Sequence, residues 1–188
     1  MLRRFGPLAL LTCLTVGCSN PPTKEHQQAE DALSAARAAD ASTYAPDELQ
    51  AAQSALDKYD QAVQQRDYRG ALSDAIDARD RAFEAARQAA AQRAAARTQL
   101  QTAMAEVEAA IKSAQTRLAG GMGPRLSAVA ADRLRSAVRA ATVAVQEART
   151  HFDQQQYRDG LGRLEPAAEE LRKAAAPADL GRRGRGGR

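Results

Sequence analysis

Residues 71–119 read ALSDAIDARDRAFEAARQAAAQRAAARTQLQTAMAEVEAAIKSAQTRLA, with no glycine or proline anywhere in the run. Alanine has the highest intrinsic helix propensity, and Glu, Gln, Arg and Leu lose little side-chain freedom in a helix. The stretch therefore predicts one very long helix, on the order of 70 Å at 1.5 Å per residue. Tyr68, Leu72, Ile76 and Phe83 begin an apolar stripe. Leu100, Met104, Val107, Ile111, Ala114 and Leu118 end it in alternating steps of three and four, the spacing of one helical face. Gln88 to Arg97 has nothing larger than Ala on that side. A bend or frayed contact is expected there.

Upstream, Glu25–Ala39 predicts a first helix, and Asp40–Ala45 a break. Pro46 suits the first turn of the next helix, where its missing N–H costs nothing. Asp47 and Glu48 favour that end through the helix dipole. Leu49, Ala52, Leu56, Tyr59 and Val63 make its stripe, and Gln64–Tyr68 predicts a tight reversal with Asp67 as a cap. Downstream, Gly120–Pro124 is a stop and turn. Leu126–Phe152 resumes the pattern through Leu134, Val138, Ala141, Val145, Ala148 and Phe152. After a second reversal at Asp153–Gln156 come Tyr157, Leu161, Leu164, Ala168, Leu171 and Ala175. Pro166 is expected to kink or shorten this last helix. Residues from Asp179 onward hold Gly and Arg with little to bury and read as disordered.

The expected fold class is all-α: elongated antiparallel helical hairpins forming a bundle with one very long central helix. One helical-hairpin domain is assigned to 25–176, with repeat-like halves at 46–95 and 126–176. The repeat is degenerate. Asp47–Ala52 resembles Asp132–Ala137, and the Asp67-Tyr68 turn resembles the one at Gln156-Tyr157. A single hairpin cannot cover its own apolar face, so two are expected to stack.

Composition agrees. Among 188 residues there are 45 Ala, no Trp, 3 Phe and 4 Tyr. Such a chain has little aromatic volume and suits close helix contacts. The formal charge is +4. It falls to near −2 for the body once Arg3, Arg4 and the tail residues Arg182, Arg183, Arg185 and Arg188 are set aside. Acidic and basic residues alternate as on a wetted helical surface. A nucleic-acid binder needs a basic face on its folded part, and none is legible here.

The first residues carry a different signal. Arg3 and Arg4 precede a mostly apolar run, Phe5–Val16, too short for a permanent span and shaped like a secretory leader. Leu14-Thr15-Val16-Gly17-Cys18 resembles the lipobox of bacterial lipoproteins, with Thr15 where the class prefers Leu. The resemblance implies that residues 1–17 are a signal peptide and that Cys18 is acylated, with palmitate among its chains. It also implies that 18–24 is a tether. Ser19, rather than Asp, implies the periplasmic face of the outer membrane. Two or more acyl chains form a stable anchor where one does not. Only 2 Cys are present, one of them in the leader, so no disulfide framework follows.

Tyr44-Ala45-Pro46-Asp47-Glu48-Leu49, with Ala52, Leu56, Asp67-Tyr68, Ala71, Ala75 and Ala82, resembles the DUF4398 type of Gram-negative periplasmic lipoprotein domain. The likeness covers about Glu25–Ala95. It implies a small envelope lipoprotein and carries no agreed activity.

Chemistry-bearing patterns are sparse. His26 and His151 lack ligand-spaced neighbours, so no metal is expected. Asp74, Asp77 and Asp80 run beside Arg79 and Arg81 as a face of weak ion pairs. Ser54 and Ser73 have no base in pattern, and Gly120–Gly123 lacks the lysine of a phosphate loop. No enzyme activity and no cofactor are expected. Tyr59, Tyr68 and Tyr157 are candidates for partner contact; sealing of helix turns is the competing reading. The arginine tail is either without a role or a weak contact to anionic head groups.

The expected function is a lipid-anchored periplasmic spacer or adaptor that supports an envelope protein assembly. The alternative is a carrier of a small apolar ligand or lipid in a groove between helices, which a large apolar cavity framed by Leu100–Leu118 and Leu134–Phe152 would favour. Self-association through stripe residues left exposed on the long helix is a third possibility.

Overall fold

In the computed structural model the described residues are 20–120 and 126–176. The leader, Cys18, the turn at Gly121–Pro124 and the tail from Pro177 lie outside them. The architecture is all-α, with one long helix that contributes to each of two helical units. The helices are α1 (Thr23–Ala38), α2 (Ala41–Tyr44), α3 (Pro46–Gln64), α4 (Tyr68–Leu118), α5 (Ala128–Asp153) and α6 (Tyr157–Ala175). Helix α1 begins at Thr23, so it takes up the end of the expected tether.

The chain divides into two compact units, Met1–Ala90 and Ala91–Arg188. Their boundary falls inside the stretch 88–97, whose apolar residues are all alanine. Helix α4 runs through it as one assigned helix of 51 residues. Its first part is the third long helix of unit 1, after α1 and α3. Its second part is the first helix of unit 2, before α5 and α6. Each unit therefore holds three long helices in the same order.

In unit 1 the break after α1 is sharper than a loose loop. Asp40 takes the left-handed conformation at φ 61°, which Asp tolerates better than most residues. One turn of helix, α2, then places Tyr44 in the interior. Pro46 opens α3 as expected. Ala29, Ala55 and Ala78 bring α1, α3 and α4 together, with Leu56 packed against them. Tyr59 closes on Ala71 and Ala75, flanked by Ala62 and Val63.

The structure corrects the expected stripe of α4 here. The buried seam is Ala71, Ala75, Ala78, Ala82, Ala85 and Ala89, each fully covered. Leu72, Ile76 and Phe83 lie to one side and are 38%, 37% and 56% exposed. Alanine lets three helices approach closely, and a larger side chain in the seam would hold them apart.

Unit 2 has a larger-residue core. Leu100, Leu134, Leu164 and Leu171 are its biggest fully buried side chains. Val138, Ala141, Val145 and Ala148 complete the α5 stripe. Ser127 caps α5, its Oγ accepting from the Ala130 N–H at 3.2 Å. Pro166 neither ends nor shortens α6, which continues to Ala175. Pro166 lacks a donor for the carbonyl four residues back, on Gly162, and both residues are exposed. Water can satisfy that carbonyl, so the proline is tolerated.

The two hairpin turns are the same device, 89 positions apart. In the first, Arg66 is left-handed at φ 60°. The Asp67 N–H donates to the Ala62 carbonyl at 2.9 Å, and the Arg66 N–H to Val63 at 3.0 Å. In the second, Gln155 is left-handed at φ 63°. The Gln156 N–H donates to His151 at 2.8 Å, and the Gln155 N–H to Phe152 at 3.0 Å. Both are Schellman closures of the preceding helix. Burial follows the same offset: Leu49, Ala52, Ala55, Ala71 and Ala75 correspond to Val138, Ala141, Ala144, Gly160 and Leu164, all buried.

Only the first turn has a carboxylate cap. The Asp67 Oδ1 accepts from the Gly70 N–H at 2.9 Å. Asp67→Ala is expected to cost about 1 kcal/mol; Gln156→Asp, which would install the missing cap, is expected to recover a similar amount. Urea midpoints of the two variants check this.

Candidate functional site

Of the residues singled out in the sequence, Cys18 lies outside the described residues. Tyr59 is buried and stacks on the His26 ring at 4.4 Å between centroids, 19° from parallel. Burial raises its phenol above the ordinary range, reinforced by the charges of Asp60, Glu30 and Glu25. Tyr157 is also buried, its ring 5.4 Å from that of Phe152. Tyr68 is half-buried at the start of α4. Tyr59 and Tyr157 thus turn their rings into their own units, and Tyr68 is the one with ring surface to offer.

The histidines have structural partners. Besides Tyr59, His26 has Glu30 at 3.8 Å. The His151 Nδ1 lies 2.9 Å from the Gln156 Oε1 across the second turn. No cluster of three or more metal-ligating side chains exists among the described residues. The acidic face of α4 is laced by local pairs, Arg81 to Asp77 at 2.8 Å and Arg79 to Asp80 at 2.7 Å. Glu84 accepts from Arg87 and Gln88, and those bonds lower its carboxyl to about 2. All these groups are solvent-washed, so they orient side chains more than they stabilise the fold.

Two surface features stand out. The first, in unit 1, is an apolar row on α4: Tyr68, Leu72, Ile76 and Phe83, spaced four, four and seven. Successive steps of four or seven keep these residues on one helical face. The equivalents of Leu72, Ile76 and Phe83 in unit 2 are Leu161, Glu165 and Arg172. With Tyr157 at the place of Tyr68, the second half of the row is charged in unit 2 and the first half is not.

The second feature, in unit 2, is a half-open groove of about 490 Å³ between the later part of α4 and α6. Val107, Ala110, Ala114, Ala168 and Leu171 line it, with Arg117 at one end. The groove lies between α4 and α6, and no residue of α5 lines it. Leu134, Val138 and Val145 of α5 fill their own side of unit 2, whereas Ala168 and Ala175 leave α6 short of volume opposite Ala110 and Ala114.

No helix among the described residues is long and apolar enough to cross a membrane. No family model, curated protein or solved structure matches the chain.

Proposed function

We propose that the chain is a lipid-anchored adaptor of the bacterial envelope, held by acylated Cys18 at the periplasmic face of the outer membrane. The leader ending in Leu14–Cys18 supports the anchor, and the resemblance to DUF4398-type lipoprotein domains supports the compartment. The observation that carries the adaptor reading is the row Tyr68–Leu72–Ile76–Phe83. It is apolar and accessible in unit 1, whereas at the places of Ile76 and Phe83 unit 2 carries the charged Glu165 and Arg172. A helical face of this kind contacts another protein through residues four and seven apart. Unit 1 supplies the contact on this reading, and the tether leads directly into its first helix.

Affinity capture from envelope membranes tests both parts. The intact chain is expected in the membrane fraction with an envelope protein attached. Cys18→Ala is expected in the soluble fraction without it. Ile76→Asp with Phe83→Asp is expected to stay on the membrane and lose the partner. Recovery of the same partners by intact and Cys18→Ala chains, both in the soluble fraction, overturns the anchored adaptor.

A further inference from the structure

The groove between α4 and α6 points to a binding site for a medium-chain fatty acid, and we infer that Arg117 receives its carboxylate. Three observations carry this. The walls are apolar and built largely of alanine, with Val107 and Leu171 at the floor, both buried. The volume of about 490 Å³ falls within the range of small-molecule sites, roughly 300–1,000 Å³. The polar group at the end is a half-buried arginine that has no carboxylate partner among the described residues.

The other arginine that lines the groove, Arg172, is held by Glu169. Among the described residues Arg117 bonds through Nη1 to the backbone carbonyl of Ala175. A guanidinium has five N–H donors in a planar fork that matches a carboxylate. One bond to a helix end leaves most of them available.

Length gives the ligand class. Glu106 lines the far end, eleven residues before Arg117, or about 16 Å along a helix at 1.5 Å per residue. An extended chain advances about 3.6 Å for every three bonds. About thirteen bonds therefore fill the groove, the length of a fatty acid of about fourteen carbons. The anionic Glu106 sets the polarity, disfavouring the carboxylate at its own end. A groove in unit 1, between α1 and α4, is lined by Ala32, Ala35 and Phe83 together with Gln28, Asp31, Arg79 and Asp80. Its two carboxylates disfavour an anionic ligand. The inference is independent of the anchored-adaptor reading, since it concerns unit 2 and needs neither Cys18 nor the row on α4.

Displacement of a polarity-sensitive dye from the purified full-length protein by tetradecanoate and by tetradecanol tests it. The acid is expected to bind at least tenfold more tightly than the alcohol, the difference of a charge-assisted hydrogen bond. Arg117→Gln is expected to erase that preference and Arg117→Lys to keep part of it. Ala110→Phe, on an exposed wall position, is expected to abolish binding of both while leaving the helical circular dichroism unchanged. Equal binding of acid and alcohol, no binding, or binding indifferent to Ala110→Phe overturns the proposal. So does binding that emerges only in a chain ending at Ala176, since the occupant is then the chain's own tail.

Discussion

Leu100→Ala is expected to destabilise unit 2 by about 3 kcal/mol, in the middle of the range for leucine truncation in a core. Leu100 is fully buried on α4. It faces the one glycine of α6 that has no room for a side chain. A Cβ placed on Gly160 would lie 2.7 Å from the Leu100 Cδ2 and 3.3 Å from the His151 Cβ. Leucine and glycine are therefore a matched pair, a knob and its notch, with α5 closing the third side. Removing the knob leaves a void that Gly160 cannot fill. The notch also costs about 1 kcal/mol of helix propensity in α6 relative to alanine, which Leu100 offsets by its burial. Gly160→Val is expected to be as damaging from the other direction, because Leu100 has no free space to retreat into. Urea unfolding followed by circular dichroism reads both, as a lower midpoint at unchanged slope. A loss under 1 kcal/mol for Leu100→Ala would mean that the notch is not filled as described.

Sequence periodicity made the helices legible because their punctuation is explicit. Pro46, the polar pair before Tyr68, Gly120 after Leu118 and the pair before Tyr157 each stop or start a helix by backbone chemistry that needs no tertiary context. The stripes of α3, α5 and α6 were more readable, since Leu49, Tyr59, Leu134, Val138, Val145, Tyr157, Leu164 and Leu171 are all buried. The first part of α4 was not, and the cause is physical. Its large residues and its alanines both recur in threes and fours, about a quarter-turn apart. Hydrophobicity favours Leu72, Ile76 and Phe83 as the core. Three helices meeting at once favour the alanines, and close approach wins. The apolar row on the surface follows from that outcome, so it was hidden for the same reason. The groove between α4 and α6 was not legible, because a stripe records which residues are apolar, not whether two facing stripes have the volume to meet.

Ala78→Leu is expected to destabilise unit 1 by about 3 kcal/mol, the upper part of the range for overpacking. Leucine and alanine differ little in helix propensity, so almost all of the loss is steric. Ala78 is fully buried where α1, α3 and α4 meet, opposite Ala29 and Ala55. At such a junction each helix contributes one methyl group, and the added carbons of leucine have only those methyls and the backbones behind them to displace. Moving one helix away disturbs its contacts along the whole alanine seam, from Ala71 to Ala89. The matched control is Ala90→Leu, exposed on the same helix, where a change within about 0.5 kcal/mol is expected. Hydrogen exchange of α1 and α3 amides distinguishes the two, rising for Ala78→Leu alone. If leucine at 78 is tolerated while Leu72→Ala is damaging, the apolar row is the core and the alanine seam is not. The surface assigned to a partner in unit 1 then disappears with it, because residues that hold a unit together are not available to bind another.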